Sequence, residues 1–311
     1  MESIQDWNNM LRQAIKESGD KKAERIMTFN RPLDLYNNFF HEVENTSMKD
    51  VIRTGISEID NAIVGIFPTS LVVIGGETGE GKSLFAGNIA FEAIKQGKKV
   101  VYFDFENDNG DWFRRQLARE LYKKGIKVRH ADLRIKENFE KNSDVIAETA
   151  AILVDSLHDS LLIYNNIQVP TLDEFIHYLD LVDDSCDLVV IDHLHYFQFE
   201  SDMSDTENIG KIMRRLRTLT RERNIPIILV SHLRKKQNAK GAPDNDDLFG
   251  SSNIAKEAET VLLLWRDKFS SHISLTKCRN TGIRKSWTYD RGGYNFKNIK
   301  EEQNDISNIE F

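Results

Sequence analysis

The chain has 311 residues, and its 42 lysines and arginines stand against 49 aspartates and glutamates, a formal net charge of −7. That balance excludes a generally basic nucleic-acid coat, while 40% hydrophobic residues and only 5 prolines exclude wholesale disorder. No apolar run approaches the roughly 20 residues that cross a bilayer, and the first residues lack the basic start and apolar stretch of a secretory signal. Cys186 and Cys278 are too few for a disulfide framework or a zinc ribbon. The expectation is a cytoplasmic protein with no membrane partner.

In chain order, residues 1–50 read as a polar helical segment, with apolar positions at Trp7, Leu11 and Ile15 and again at Leu35, Phe39 and Val43, broken at Pro32. This segment cannot bury much core alone. Residues 51–297 alternate apolar strand-like runs with amphipathic helical stretches, which predicts an α/β domain with a mainly parallel sheet flanked by helices. The expected strands are 71–74, 100–105, 161–164, 188–191, 227–230, 261–264 and 273–276. Residues 298–311 turn polar and acidic and read as a mobile tail ending in Phe311.

The most specific signal is Gly76-Glu77-Thr78-Gly79-Glu80-Gly81-Lys82-Ser83, which fits the phosphate-loop pattern G-x-x-x-x-G-K-[ST] at every fixed position. An apolar strand precedes it and a helical stretch follows, the order the motif requires. Its glycines let backbone N–H groups converge on phosphate oxygens at a helix N-terminus. Lys82 is then expected to bridge the terminal phosphates, and Ser83 to hold Mg²⁺. Leu188 to Ile191 end in Asp192, a second expected Mg²⁺ residue, since an unpaired carboxylate would be costly at a buried strand end. Glu106, just after the strand 101–105, is the candidate general base that polarises water for attack on the γ-phosphate. A plain solvated glutamate remains the alternative there.

The order continues in Asp187 to His195, Ile227 to Lys235, Asp247 to Ile254 and Lys277 to Gly282. Together these motifs resemble the RecA-like hexameric replicative DNA helicases, in their helicase part only. The likeness is greatest to the short-tailed coliphage primase–helicase and mitochondrial Twinkle, with DnaB more distant. The resemblance covers roughly residues 50–296 and implies a RecA-like ATPase that assembles as a ring, hydrolyses ATP or another nucleoside triphosphate, and unwinds duplex while moving on single-stranded DNA.

Position by position, the resemblance gives His232 the sensing of the γ-phosphate. It makes Arg279 an arginine finger, with Lys277 beside it, reaching into a neighbouring subunit's nucleotide site. Trp287 or Tyr289 would stack on the base. His193 and His195 form an H-x-H without further ligands at zinc spacing, so no metal role is expected of them. DNA is expected at the basic segment Arg234, Lys235, Lys236 and Lys240, where local charge must supply the attraction that the acidic chain lacks. The loop from Phe199 to Gly210 carries Glu200, Asp202, Asp205 and Glu207 and is discounted as a phosphate binder.

By the same resemblance a helix over residues 35–48 packs on the adjacent subunit, although its spacing fits packing on its own domain equally well. The acidic tail would dock on DNA polymerase, with a solvated end as the alternative, and a phage protein acting in its host's cytoplasm fits the pattern. There is no room for a primase domain, so a separate primase or loader is implied. Two other readings stay open. One is a recombination or protein-remodelling ATPase without processive unwinding, and the other is a regulatory nucleotide-binding module that never hydrolyses.

Overall fold

The computed structural model describes residues 13, 32–45, 47–108, 110–165, 169–182, 186–234, 241–292 and 294–302. Two compact units, Met1–Asp50 and Val51–Phe311, divide the chain. In the first, helix α1 (Pro32–Asn45) presents Leu35, Phe39 and Val43 as exposed side chains.

The second unit is built on one nine-stranded sheet in the order β3-β2-β4-β5-β1-β6-β7-β8-β9. Its strands are β1 (Leu71–Gly76), β2 (Val100–Asp104), β3 (Leu161–Tyr164), β4 (Leu188–Asp192), β5 (Ile227–His232), β6 (Thr260–Arg266), β7 (Ser271–Cys278), β8 (Lys285–Gly292) and β9 (Asn295–Glu301). The first six run parallel, and β7, β8 and β9 extend the sheet antiparallel beyond β6. The α-helices among its described residues are α2 (Ser57–Ile63), α3 (Lys82–Lys95), α4 (Asp111–Lys123), α5 (Lys136–Glu140), α6 (Ser143–Leu157), α7 (Leu172–Leu181), α8 (Asp205–Arg223) and α9 (Ser251–Glu257).

Strand alternation explains the two layers. Along β1, Val72 and Ile74 join a core with Phe85, Ile89 and Trp112, whereas Leu71 and Val73 join another with Phe175, Met213 and Leu216. Central strands buried on both faces therefore read as continuous apolar runs. Helix α3 is buried nearly all round and lies close to α4: a Cβ at Gly87 would stand 3.1 Å from Trp112 Nε1. Capping boxes start α7 (Thr171 with Glu174) and α8 (Ser204 with Glu207).

Three expectations need correction. Strand β9 runs to Glu301, past the expected start of the tail at residue 298, because 295–301 complete a hairpin with β8. Trp287 and Tyr289 are 1% and 4% exposed and belong to the core, so neither is available to stack on a base. Half of the supposed loop 199–210 is helical: Asp205 to Gly210 open α8, where Glu207 serves the cap and Glu200 pairs with Lys211. No helix among the described residues is long and apolar enough to cross a membrane.

Candidate active site

Parallel strands bring their carboxyl ends to one edge of the sheet, where an α/β fold places its ligands. Gly76 and His232 are register partners at the ends of β1 and β5, and Asp104 and Asp192 are partners at the ends of β2 and β4. The phosphate loop follows β1 and leads into α3. Gly79 and Gly81 hold φ of 86° and 90°, which strains any residue with a Cβ. A Cβ on Gly76 would lie 2.7 Å from the Leu264 carbonyl oxygen, so only glycine lets β1 pass β6 there.

Lys82 is 6% exposed and donates from Nζ to the Glu77 carbonyl at 2.9 Å. Burial lowers its pKa, against the pull of the Glu106 and Asp192 carboxylates. Asp192 is completely buried: Ser83 Oγ donates to Oδ1 at 3.1 Å and the Tyr102 hydroxyl to Oδ2 at 2.9 Å. Burial, with the Asp104 carboxylate behind it, pushes the Asp192 carboxyl up to about 7. Asp104 is itself raised by burial, and it accepts from the Asn107 backbone N–H at 3.0 Å and from Asn107 Nδ2 at 2.9 Å. A hydroxyl beside a carboxylate is an oxygen donor set that fits a hard divalent cation such as Mg²⁺.

Glu106 is exposed two residues beyond β2. Its Oε2 lies 3.6 Å from His193 Nε2, which in turn lies 2.9 Å from His232 Nε2. The His193 Nδ1 accepts the His195 backbone N–H at 3.2 Å. A neutral His193 therefore carries its proton on Nε2 and donates to His232, which leaves the His232 proton on Nδ1. Burial depresses His193 to about 2, helped by His232, and His232 to about 4, helped by Lys82.

These groups open on a pocket of about 330 Å³, lined by Lys82, Ser83, Glu106, Arg115, His130, His232 and Tyr294 among others. Tyr294 links β8 to β9; its hydroxyl accepts the His130 backbone N–H at 2.7 Å, and its carbonyl accepts from Asn88 Nδ2 at 2.9 Å. Arg115 is held by Asp111 at 2.6 Å. Sequence reasoning missed Tyr102, Asp104, Arg115, His130 and Tyr294. Only the first two carried a signal, as polar interruptions of an apolar strand.

The structure thus gathers Gly76 to Ser83, Glu106, Asp192 and His232 into one site. Lys277 and Arg279 are not among them. They donate to the Ala255 and Lys256 carbonyls at the end of α9, and Lys277 pairs with Val261 near the start of β6, toward the opposite edge of the sheet from the phosphate loop. Burial and the Arg279 charge lower Lys277 to about 8. Exposed Arg234 extends from β5, bonded through its N–H to the Asp247 carbonyl at 2.7 Å, with its guanidinium over the Phe249 ring. Lys235, Lys236 and Lys240 lie outside the described residues.

Comparison with known proteins identifies the family and the fold. The family described as DnaB-like helicase C terminal domain matches residues 51–292. A probable plasmid replicative DNA helicase of Chlamydia trachomatis serovar L2 is 29% identical over 78% of this chain and 52% of its own length. The replicative DNA helicase DnaB of Treponema pallidum is 27% identical over 89% of this chain and 63% of its own. The chain spans about half the length of the first of these curated relatives. Among solved structures, an isolated ATPase domain superposes with a TM-score of 0.73 at 17% identity, covering 88% of this chain and all of that one. A DnaB-like replicative helicase, studied with its interactions with primase, gives 0.69 at 18% identity, covering 94% of this chain and 73% of that one. The fold is the RecA-like ATPase fold of these proteins, and the chain belongs to the DnaB-like helicase C-terminal domain family.

Proposed function

On the premise of that membership, we propose that the chain is the motor of a replicative DNA helicase. It hydrolyses ATP or another nucleoside triphosphate, assembles as a ring of six subunits, and moves along single-stranded DNA while separating duplex. The observation that carries this reading is the convergence of Lys82, Glu106, Asp192 and His232 on one phosphate loop at adjacent strand ends.

Backbone N–H groups of residues 76–83 and the start of α3 cradle the phosphates. Lys82 leaves the Glu77 carbonyl to neutralise the β- and γ-phosphate oxygens. Ser83 and Asp192 would hold Mg²⁺, which when bound neutralises phosphate charge. Glu106 orients the attacking water, and His232, its Nδ1–H fixed by His193, donates toward the γ-phosphate. Tyr294 walls the pocket beside Arg115 and His130 and offers its ring to the base. Arg279, far from its own phosphate loop, serves a neighbour's site, so hydrolysis depends on assembly.

DNA lies along Arg234, Lys235, Lys236 and Lys240, repeated by each subunit around a central channel. Helix α1 packs on the adjacent subunit through Leu35, Phe39 and Val43, which are exposed. Priming and loading fall to separate proteins, and the acidic tail through Phe311 contacts DNA polymerase. The direct test is unwinding of a forked duplex with hydrolysable nucleotide. Strand separation that is lost in Lys82→Ala supports the reading, whereas hydrolysis without strand separation in an assembled ring points to a remodelling ATPase.

A further inference from the structure

Three ligand atoms stand together near the phosphate loop, distinct from the oxygen donors Ser83 and Asp192. A carboxylate oxygen of Glu106 and one ring nitrogen each of His193 and His232 all lie within 4.8 Å of one another. We propose that Glu106, His193 and His232 form a zinc site whose occupancy holds the hydrolytic centre shut.

The donor set is the first argument. Two imidazoles and one carboxylate, with a remaining position for water, are a recurrent zinc set, and imidazole selects zinc over magnesium. The oxygen donors Ser83 and Asp192 suit magnesium, so the two cations sort between neighbouring sites by ligand chemistry.

Geometry is the second. The His193 and His232 Nε2 atoms are 2.9 Å apart and the Glu106 Oε2 is 3.6 Å from His193 Nε2, so one ion reaches all three after small side-chain shifts. His193, 3% exposed, directly follows Asp192 at the end of β4, and His232 is the last residue of β5, so two ligands are held where strands end while the exposed Glu106 closes on the ion. Ligation through His193 Nε2 moves that proton to Nδ1 and gives up the hydrogen bond from the His195 N–H; no other group changes protonation.

Zinc bound here takes the carboxylate that orients water and the imidazole that faces the γ-phosphate. The inhibition rests on the proposed hydrolysis, whereas the binding does not.

Binding is therefore measured first, on the full chain without magnesium or nucleotide, by titrating Zn²⁺ in competition with a fluorescent zinc chelator. One zinc per chain is expected, weakened about tenfold or more in both Glu106→Gln and His193→Ala, with melting temperatures that show each variant folded. Should His193→Ala fail to fold, Glu106→Gln, altered only at an exposed carboxylate, decides alone. Wild-type affinity in the folded variants, or no bound zinc, overturns the site. Hydrolysis with magnesium is then followed as zinc is added and withdrawn with a zinc-selective chelator. Zinc bound at these residues without loss of turnover overturns the inhibition, while a chain that binds zinc there but never hydrolyses refutes the motor reading and leaves the site standing.

Discussion

The Tyr102 hydroxyl donates to Asp192 Oδ2 at 2.9 Å, across the pairing of β2 with β4, and is the only side chain on that oxygen among the described hydrogen bonds. Tyr102→Phe leaves a completely buried carboxylate oxygen without its donor. The expected loss is about 1–3 kcal/mol of folding stability, measured by denaturant unfolding. Unchanged stability would mean that Asp192 draws its support from Ser83 alone.

Tyr294 should carry nucleotide affinity rather than turnover. Removing its ring in Tyr294→Ala is expected to weaken binding of a fluorescent nucleotide roughly ten- to a hundredfold, from a stacking contribution of about 1–3 kcal/mol. Tyr294→Phe keeps the ring, loses the hydroxyl that accepts from His130, and should stay close to wild type. Equal losses in both variants would mean that the hydrogen bond, not the ring, shapes the pocket.

Arg279 hydrogen-bonds at the end of α9, away from the pocket of its own chain. Rings of Arg279→Ala alone or Glu106→Gln alone should be inactive. Mixed rings should recover part of the turnover, because an intact Glu106 site can then meet an intact Arg279 from its neighbour. No recovery at any mixing ratio would place Arg279 outside the reaction.

Burial lowers the pKa of His193, His195 and His232 below the ordinary imidazole value, to about 2 for His193 and about 4 for His232. The unfolded chain takes up these protons below about pH 6.5 while the folded protein does not, so stability from this cluster is complete above pH 6.5 and is lost as pH falls toward 4. Asp192, raised to about 7, works in the opposite sense over the same range. Melting curves between pH 7.5 and 5 should therefore fall less steeply for His193→Asn than for wild type. Identical slopes would remove His193 from the acid response.

The phosphate loop and its flanking elements were legible because their chemistry is local: the motif must follow a strand and open a helix, and it does. The order of strands was not, since pairing β4 with β2 and β5 depends on crossovers that no short window of sequence contains. Asp192 could be assigned from its apolar strand, yet Tyr102, which donates to it, and Asp104, which adds to the effect of its burial, come from a strand 90 residues away by the Tyr102 spacing. Tyr289 and Trp287 show the reverse failure. Their alternation in β8 marks residues facing the core, and Tyr294, on the turn after that strand, stands in the pocket instead. His193, just after β4, and His232, last in β5, were visible only as separate motifs, and the pairing of β4 with β5 brings them within 2.9 Å.

The motor proposed for this chain is a nucleotide hydrolase coupled to DNA through assembly. Its most direct test is the hydrolysis rate with and without single-stranded DNA, across protein concentrations that span ring formation, beside Lys82→Ala. Turnover that rises with DNA only where rings form, and that falls by about 10²-fold or more in Lys82→Ala, is the predicted result. Hydrolysis indifferent to DNA at every concentration would contradict it.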